Sequence, residues 1–222
     1  MSKAYVLLSG GMDSTTCLAH ACSNHGSKNV TAVSVAYGQR HFKELEYAKA
    51  ISEELGTKWR LLDLSGAIGV GGLTDTNLIM PEMSYDELPE GISPTYVPFR
   101  NGLMLAALSS IAQADDEARF IYYGAHAEDA ERDAYPDCSI EFIQHMEAAI
   151  RIGTYGQIEL RAPLMSMCKA EVVAFGETLD VPWHMTWSCY KGEEKQCGNC
   201  PTCISRILAF GDAGVDDPTE YT

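Results

Sequence analysis

Positive charge is scarce in this chain, and long apolar runs are missing. Its 222 residues include 16 lysines and arginines against 31 aspartates and glutamates, which gives a formal net charge of −15. A strongly acidic surface repels polyphosphate, so we expect no stable nucleic-acid binding and favour a small diffusible substrate. No stretch reaches the roughly 20 apolar residues of a membrane span, and no basic segment with an apolar run opens the chain. We therefore expect a cytoplasmic protein without a membrane span.

Strand-like and helix-like segments alternate along the sequence. Apolar and β-branched runs predict strands at 4–8, 29–36, 59–64, 120–123 and 158–160. Apolar residues at helical spacing predict helices at 14–25, 41–55, 101–113, 140–152 and 167–179. This order predicts an α/β fold with a doubly wound parallel sheet, which binds ligands at the carboxyl ends of its strands. The glycine- and proline-rich stretch 65–98 predicts a long irregular connection.

The most informative segment is Ser9-Gly10-Gly11-Met12-Asp13-Ser14, which follows the first predicted strand. Adjacent glycines let successive amides turn inward as an anion nest, and the helix predicted from Ser14 directs its positive end at the same place. No lysine follows the glycines, so the segment is not a Walker A loop. A carboxylate repels phosphate unless a divalent cation lies between them, so Asp13 indicates Mg²⁺; the alternative is that Asp13 only caps the helix.

This segment resembles the signature of the PP-loop ATP pyrophosphatases, a broad family that splits ATP into AMP and pyrophosphate. The resemblance implies an ATP site over residues 8–18. Its members are Leu8, Ser9, Gly10, Gly11, Met12, Asp13, Ser14, Thr15, Thr16, Cys17 and Leu18. It also implies that residues 1–182 form the ATP-binding domain and that residues 183–222 form a small segment packed on it.

Four of the eight cysteines lie close together near the end of the chain. Cys189, Cys197, Cys200 and Cys203 have the spacing C-x7-C-x2-C-x2-C. Four thiolates at such spacing can surround one tetrahedral ion, so we predict a structural Zn²⁺ that links a strand at Cys189 to a helix after Cys203. The alternative is a [4Fe–4S] cluster, in which the spacing C-x2-C-x2-C also occurs.

Polar residues follow several predicted strands, where a parallel sheet binds its ligands. Lys169 and Arg100 are candidate catalytic cations for the α-phosphate or for a substrate carboxylate. The candidate substrate-binding residues are Gln39, Arg40, His41, Asn101, His126, Tyr135 and Asp137. Each also has an ordinary interpretation, such as an ion pair for Arg40, a helix cap for Asn101 or a backbone hydrogen bond for His126.

Taken together, these segments resemble the QueC family of queuosine biosynthesis over nearly the whole chain. The matching stretches are 9–14, 37–41, 97–101, 135–138, 163–164 with Lys169, and 187–190 with the cysteines that follow. One stretch departs from the commoner bacterial form, which reads close to Asp-Tyr-Ser-Gly where this chain has residues 130–134.

The QueC resemblance implies that ATP converts 7-carboxy-7-deazaguanine and ammonia into the nitrile 7-cyano-7-deazaguanine. The implied cofactors are ATP, Mg²⁺ and Zn²⁺. Asp137 is the implied hydrogen-bond acceptor for a guanine-like edge of the substrate. The expected assembly is a homodimer. Two alternatives from other classes stay open. One is a tRNA sulfurtransferase with an iron–sulfur cluster, and the other is a non-catalytic nucleotide-binding module. A ligase that stops at the amide, or that acts on another acceptor, is a third.

Overall fold

The computed structural model describes residues 2–40, 42–126, 128 and 134–222. Strands and helices alternate from β1 to α5, and a last helix follows a cysteine-rich segment. The elements are β1 (Lys3–Leu7), α1 (Met12–His25), β2 (Val30–Ala36), α2 (Lys43–Glu54), β3 (Lys58–Asp63), α3 (Arg100–Gln113), β4 (Ala118–Tyr122), α4 (Ile140–Gly153), β5 (Glu159–Arg161), α5 (Lys169–Glu177) and α6 (Pro201–Ala213). His41, and residues 130–133 of the departing stretch, lie outside the described residues.

The five strands form one parallel sheet in the order β3-β2-β1-β4-β5. Successive strands are added outward from β1 to one side, and the chain then crosses back to place β4 on the other side of β1. The predicted doubly wound parallel sheet is therefore confirmed. In such a sheet the ligand crevice lies where the strand order reverses, which here is between the carboxyl ends of β1 and β4.

Side chains of β1 point alternately to the two faces of the sheet, and each face has its own cluster of buried residues. Val6 and Leu8 pack with α1, α2 and α5 in one cluster of buried residues. Leu7 packs on the opposite face with residues of α3 and α4. Because both faces are covered, most residues of the central strands β1, β2 and β4 are buried, as expected for a parallel sheet. No helix among the described residues is long and apolar enough to cross a membrane.

The helix boundaries differ from the sequence prediction for identifiable reasons. Helix α1 begins at Met12 rather than Ser14, because Gly11 occupies the N-cap position with an extended backbone. Helix α6 begins at Pro201, whose fixed φ suits the first turn, so Cys203 lies inside this helix rather than before it. Cys189 lies in an irregular segment and not in a strand, so that detail of the prediction was wrong.

The C-terminal segment is attached to the rest of the chain through a buried arginine. The Arg206 side chain on α6 is fully buried, and its guanidinium donates to both carboxylate oxygens of Asp217, to Thr186 Oγ1 and to the carbonyl of Trp183. The Tyr221 hydroxyl also donates to Asp217. Burial raises the pKa of Asp217, but the hydrogen bonds from Arg206 and Tyr221 outweigh burial and lower this pKa overall.

We predict that Arg206→Met reduces the free energy of unfolding by about 3 kcal/mol, because it leaves the Asp217 carboxylate buried without its cation. Urea unfolding at pH 7 measures this loss. A group with a lowered pKa stabilises the fold above its unfolded pKa and stops doing so as the pH falls through its folded pKa. The difference between the two proteins should therefore shrink below about pH 4.

The matched control is Arg151→Met, which removes an exposed arginine from α4 and should change the free energy of unfolding by less than about 0.5 kcal/mol. Equal losses in the two variants would show that the buried pair with Asp217 does not anchor the C-terminal segment.

Candidate active site

The Ser9–Ser14 loop lies at the crevice between β1 and β4. A Cβ atom at position 124, just after β4, would lie 3.0 Å from the carbonyl oxygen of Asp13 and 3.0 Å from the Cα atom of Ser14. Gly124 therefore lets the beginning of α1 approach the end of β4. Gly10 has φ +88°, and a Cβ atom there would lie 2.7 Å from the Glu44 carbonyl oxygen. Both glycines are required by close backbone packing around the loop.

The loop has the geometry of an anion nest. The first intrahelical bond of α1 runs from the Thr15 amide to the Gly11 carbonyl, so the amides of residues 12–14 precede the helical hydrogen-bond ladder. The Ser9 and Ser14 hydroxyls lie 3.0 Å apart, and Ser9 Oγ also accepts from the Gly11 amide. Loop amides, two hydroxyls and the positive end of α1 thus meet at one place, which is suited to polyphosphate.

Part of the predicted ATP segment faces the protein interior. Thr15, Thr16, Cys17 and Leu18 are fully buried, and the two threonine hydroxyls donate to carbonyls one turn earlier in α1. The residues of this segment that line the cavity are Leu8, Ser9, Gly11, Met12, Asp13 and Ser14. The second half of the segment therefore packs the beginning of α1 into the core.

A cavity of about 570 Å³ extends from this loop between the carboxyl ends of the strands. Asp13, His126 and Lys169 line it near the loop, and Asp13 Oδ2 lies 3.5 Å from Lys169 Nζ and 3.9 Å from His126 Nε2. Asp13 Oδ1 is buried and has no hydrogen-bond partner among the described residues. The N-cap of α1 is Gly11, and no side chain caps that position. This geometry does not support the interpretation of Asp13 as only a helix cap.

The other half of the cavity is lined by tyrosines around one arginine. Tyr37, Tyr85, Tyr135 and Tyr190 border it. Arg100 Nη1 donates to the Tyr37 hydroxyl at 3.2 Å, and its guanidinium lies 5.0 Å from the Tyr37 ring centroid. Burial raises the pKa of Tyr37 to about 12, so this phenol stays neutral. The arrangement can hold a flat ring and bind an anion beside it.

Backbone geometry at the beginning of α3 positions Arg100. Phe99 takes a left-handed conformation with φ 52°, and its amide donates to the Tyr96 hydroxyl. The Asn101 amide donates to Asp137 Oδ2 at 2.9 Å. Asp137 therefore satisfies a free amide of the α3 N-terminus, and its buried carboxylate is not part of the cavity wall.

The remaining candidate substrate-binding residues have mixed placements. Gln39 lines the cavity, but its amide group accepts from the Tyr37 amide and donates to the Val35 carbonyl, which closes the turn after β2. Arg40 lies outside the cavity wall and donates to the Leu78 carbonyl. Asn101, His126 and Tyr135 line the cavity.

Sequence reasoning did not select Glu44 and Tyr85, which both line the cavity. Glu44 lies on α2, one turn before the buried Ala48, and lines the tyrosine half of the cavity. For Glu44, the available sequence signal was an acidic residue next to the apolar positions of a predicted helix. Tyr85 comes from the irregular 65–98 connection, where no periodicity points to a burial pattern, so only the folded chain could reveal it.

The four C-terminal cysteines converge in the structure. Their Sγ atoms all lie within 4.8 Å of one another, and those of Cys197 and Cys203 are 3.9 Å apart. Four thiolates on one tetrahedral ion, at metal–sulfur distances near 2.3 Å, are expected about 3.8 Å apart. Backbone amides of Lys191 and Cys197 donate to Cys189 Sγ, as expected where sulfur carries negative charge. The cluster can therefore hold one metal ion.

The cysteine cluster is connected directly to the ATP loop and to the cavity. The Trp187 amide donates to the Gly10 carbonyl at 2.9 Å, and the Trp187 indole donates to the Cys189 carbonyl. Tyr190, the residue after the first ligand, lines the cavity. Two hydrogen bonds of Trp187 therefore connect the cysteine cluster with the ATP loop, although the two are far apart in the sequence.

A parallel sheet with a Ser-Gly-Gly-x-Asp-Ser loop at its switch point defines a nucleotide-binding protein of the PP-loop type. The fold is similar to that of the U34-tRNA thiolase NcsA from Methanococcus maripaludis, solved with its [4Fe–4S] cluster (TM-score 0.52, 16% identity, 96% of this chain and 67% of that chain). It is also similar to NMN synthetase from Francisella tularensis (TM-score 0.52, 15% identity, 97% and 78%).

Sequence comparison identifies the family. Residues 3–214 match the family model described as queuosine biosynthesis protein QueC. The chain is 42% identical to the 7-cyano-7-deazaguanine synthase of Caldicellulosiruptor saccharolyticus over 99% of this chain and 95% of that protein. The corresponding protein of Nitratiruptor sp. is 42% identical over 99% and 98%. The chain therefore belongs to the QueC family, as its motifs predicted, and is a ligase-type enzyme.

Proposed function

We propose that this enzyme converts 7-carboxy-7-deazaguanine and ammonia into 7-cyano-7-deazaguanine at the expense of ATP. The observation that carries the proposal is the continuous cavity, which joins the phosphate-binding loop at Ser9–Ser14 to a tyrosine-lined pocket around Arg100. ATP and a flat, anionic heterocycle can occupy the two halves at the same time. The relatives from Caldicellulosiruptor and Nitratiruptor carry the name of this activity over nearly the full length of this chain.

The first stage makes an amide from the carboxylate. A carboxylate at neutral pH has no adequate leaving group and resists ammonia. Attack of a carboxylate oxygen on the α-phosphorus of ATP forms an acyl adenylate and releases pyrophosphate. Ammonia then adds to the activated carbonyl carbon, AMP leaves with the carboxylate oxygen, and one proton is released.

The second stage repeats the same activation on the amide. The amide oxygen attacks the α-phosphorus of a second ATP and pyrophosphate leaves again. Loss of AMP with that oxygen and of the nitrogen protons forms the carbon–nitrogen triple bond. Two ATP are therefore consumed for each nitrile, and one pocket must hold the carboxylate and the amide in the same pose.

Lys169 and the loop amides are the groups that oppose negative charge near the phosphates. Lys169 is the first residue of α5, so its ammonium group and the positive end of that helix face the cavity together. Charge that develops on phosphate oxygens in both stages is met by these fixed donors, which need little rearrangement. Arg100 lies in the other half of the cavity and is the candidate for the substrate carboxylate.

Asp13 is the residue that would hold Mg²⁺. Its buried Oδ1 has no partner among the described residues and lies at the beginning of α1, next to the loop. A hard carboxylate oxygen in that position suits a divalent cation shared with phosphate. When bound, Mg²⁺ supplies positive charge to the pyrophosphate oxygens.

The cysteine cluster would hold one structural Zn²⁺. Each thiolate of a [4Fe–4S] cluster binds a different iron atom, so its four sulfurs lie farther apart than four ligands of one ion. The compact set of Sγ atoms, all within 4.8 Å, supports a single ion. Four thiolates this close together would repel one another without a cation, so a bound ion is needed to hold all four in their charged form.

The product assay tests the function. Purified protein, ATP, Mg²⁺, ammonium and 7-carboxy-7-deazaguanine should yield the nitrile with about two AMP per product, as measured by mass spectrometry and nucleotide chromatography. Accumulation of the amide alone would show a ligase that stops after the first stage. Absence of substrate-stimulated pyrophosphate release would contradict the proposal and favour a nucleotide-binding module.

We predict that Asp13→Ala keeps the fold but lowers turnover by a factor of about 100 or more, because the Mg²⁺ ligand is lost. Steady-state pyrophosphate release and circular dichroism give the two readouts. Asp116→Ala, an exposed aspartate in the turn before β4, is the control and should retain full activity. Near-normal turnover with a lowered melting temperature in the Asp13 variant would instead assign it a capping role.

We predict one Zn²⁺ per chain and no labile sulfide in anaerobically purified protein, by elemental analysis. Cys200→Ser should give aggregated protein, because a site with three ligands exposes a reactive thiolate and releases the contacts from Trp187 to the loop. Cys22→Ser on α1 is the matched control and should remain soluble and active. Stoichiometric iron, or a soluble and fully active Cys200 variant, would contradict the zinc proposal.

Four expectations from the sequence stay predictions. They are a cytoplasmic location, a homodimeric assembly, free ammonia as the nitrogen source, and no stable nucleic-acid binding.

A further inference from the structure

The tyrosine half of the cavity contains a carboxylate without a protein partner. Glu44 lines the cavity from the first turn of α2, beside Tyr37 and Tyr190. We find no hydrogen bond or ion pair to its carboxylate among the residues that the structure describes. Two other acidic residues of the wall are already engaged: Asp13 pairs with Lys169, and Glu128 accepts from the Lys169 amide.

Keeping this carboxylate in the wall destabilises the folded protein. Burial raises the pKa of Glu44 to about 7, and the positive charge of Arg100 only partly opposes this effect. A carboxyl group whose pKa is higher in the folded than in the unfolded chain weakens the fold as the pH rises between the two values. Because Glu44 makes no stabilising contact in return, a role in ligand binding explains its position better than a role in folding.

The chemistry of the proposed substrate provides the missing partner. A guanine-type ring carries a ring N–H and an exocyclic amino group side by side, which are two parallel donors on one edge. An ionised carboxylate has two acceptor oxygens and no donor, so it can accept both at once. Arg100, in the same half of the cavity, can bind an anionic substituent of that ring, while the tyrosines cover its faces.

Asp137, the acceptor implied by the resemblance, does not line the cavity. Its Oδ2 accepts the Asn101 amide at the beginning of α3, its Oδ1 has no partner among the described residues, and the residue is only 2% exposed. Glu44 has the same acceptor chemistry and faces the cavity. The tertiary structure thus places an acidic residue where the proposed substrate needs one. This residue is Glu44 on α2, and not Asp137.

We propose that Glu44 is the specificity-determining residue for the acceptor, and that its carboxylate accepts hydrogen bonds from the ring N–H and the exocyclic amino group of the 7-deazaguanine ring. This inference rests on the proposed function and deepens it. It predicts that the enzyme rejects ring systems that lack the amino group.

The test compares Glu44→Gln with wild type on two substrates, 7-carboxy-7-deazaguanine and its analogue without the 2-amino group. Loss of a hydrogen bond to a charged group lowers affinity by about 10- to 150-fold, so the wild-type enzyme should show a KM for the analogue raised by that factor. Glu44→Gln should raise the KM for the full substrate similarly, bring the two KM values within about threefold, and leave the KM for ATP unchanged.

Glu46→Gln is the matched control, because it makes the same change two residues along α2 at an exposed position. Its kinetic constants should equal those of wild type. The melting temperature of Glu44→Gln at pH 8 should be equal to or above that of wild type, since the variant removes a buried charge. A residue that only supported the fold would lower it.

Two outcomes would overturn the inference while the proposed function stands. One is a Glu44 variant that keeps the wild-type preference for the amino group. The other is an equal loss on both substrates, which would mean that Glu44 acts by positioning Arg100. A wild-type enzyme that turns over neither substrate would overturn the proposed function, and this inference with it.

Discussion

The hydrogen bond from the Trp187 amide to the Gly10 carbonyl joins the two halves of this molecule. On one side lies the loop that begins α1, and on the other lies the cysteine-rich segment. Trp187 is also bonded to the Cys189 carbonyl, so a metal held by the cysteines would help to fix the position of Trp187 against the loop. Tyr190 extends the same segment into the cavity, so the cysteine cluster, the Ser9–Ser14 loop and the tyrosine half of the cavity form one connected unit.

Two sets of charges with different tasks line the cavity. Near the loop, Lys169 neutralises Asp13, and the positive end of α1 faces the same space, which suits the phosphates of ATP. In the other half, Arg100 and Glu44 have opposite charges without forming a contact pair. A ligand that carries an anionic group and a donor edge can engage both. In the proposed reaction, this division would let one pocket hold the acceptor through both activations.

Among the described residues, the cavity wall of this acidic chain contains two arginine or lysine side chains, Arg100 and Lys169. With a net charge of −15, the chain has no general attraction for phosphate, so anion binding depends on a few fixed donors. Backbone amides and helix ends provide much of that donor set without adding formal charge. The buried Arg206–Asp217 pair plays a different part, since it attaches the C-terminal segment and stays away from the cavity.

The sequence alone determined the order of strands and helices, the Ser-Gly-Gly loop after the first strand and the set of four converging cysteines, because each depends on local spacing. It did not determine which side chains of residues 8–18 face the ligand, since burial of Thr15 to Leu18 follows from how α1 packs. Nor did it show that Glu44, and not Asp137, lines the cavity. The Asp137 carboxylate accepts a free helix amide, whereas Glu44 lines the cavity. This difference depends on how α2 and α3 pack against the sheet.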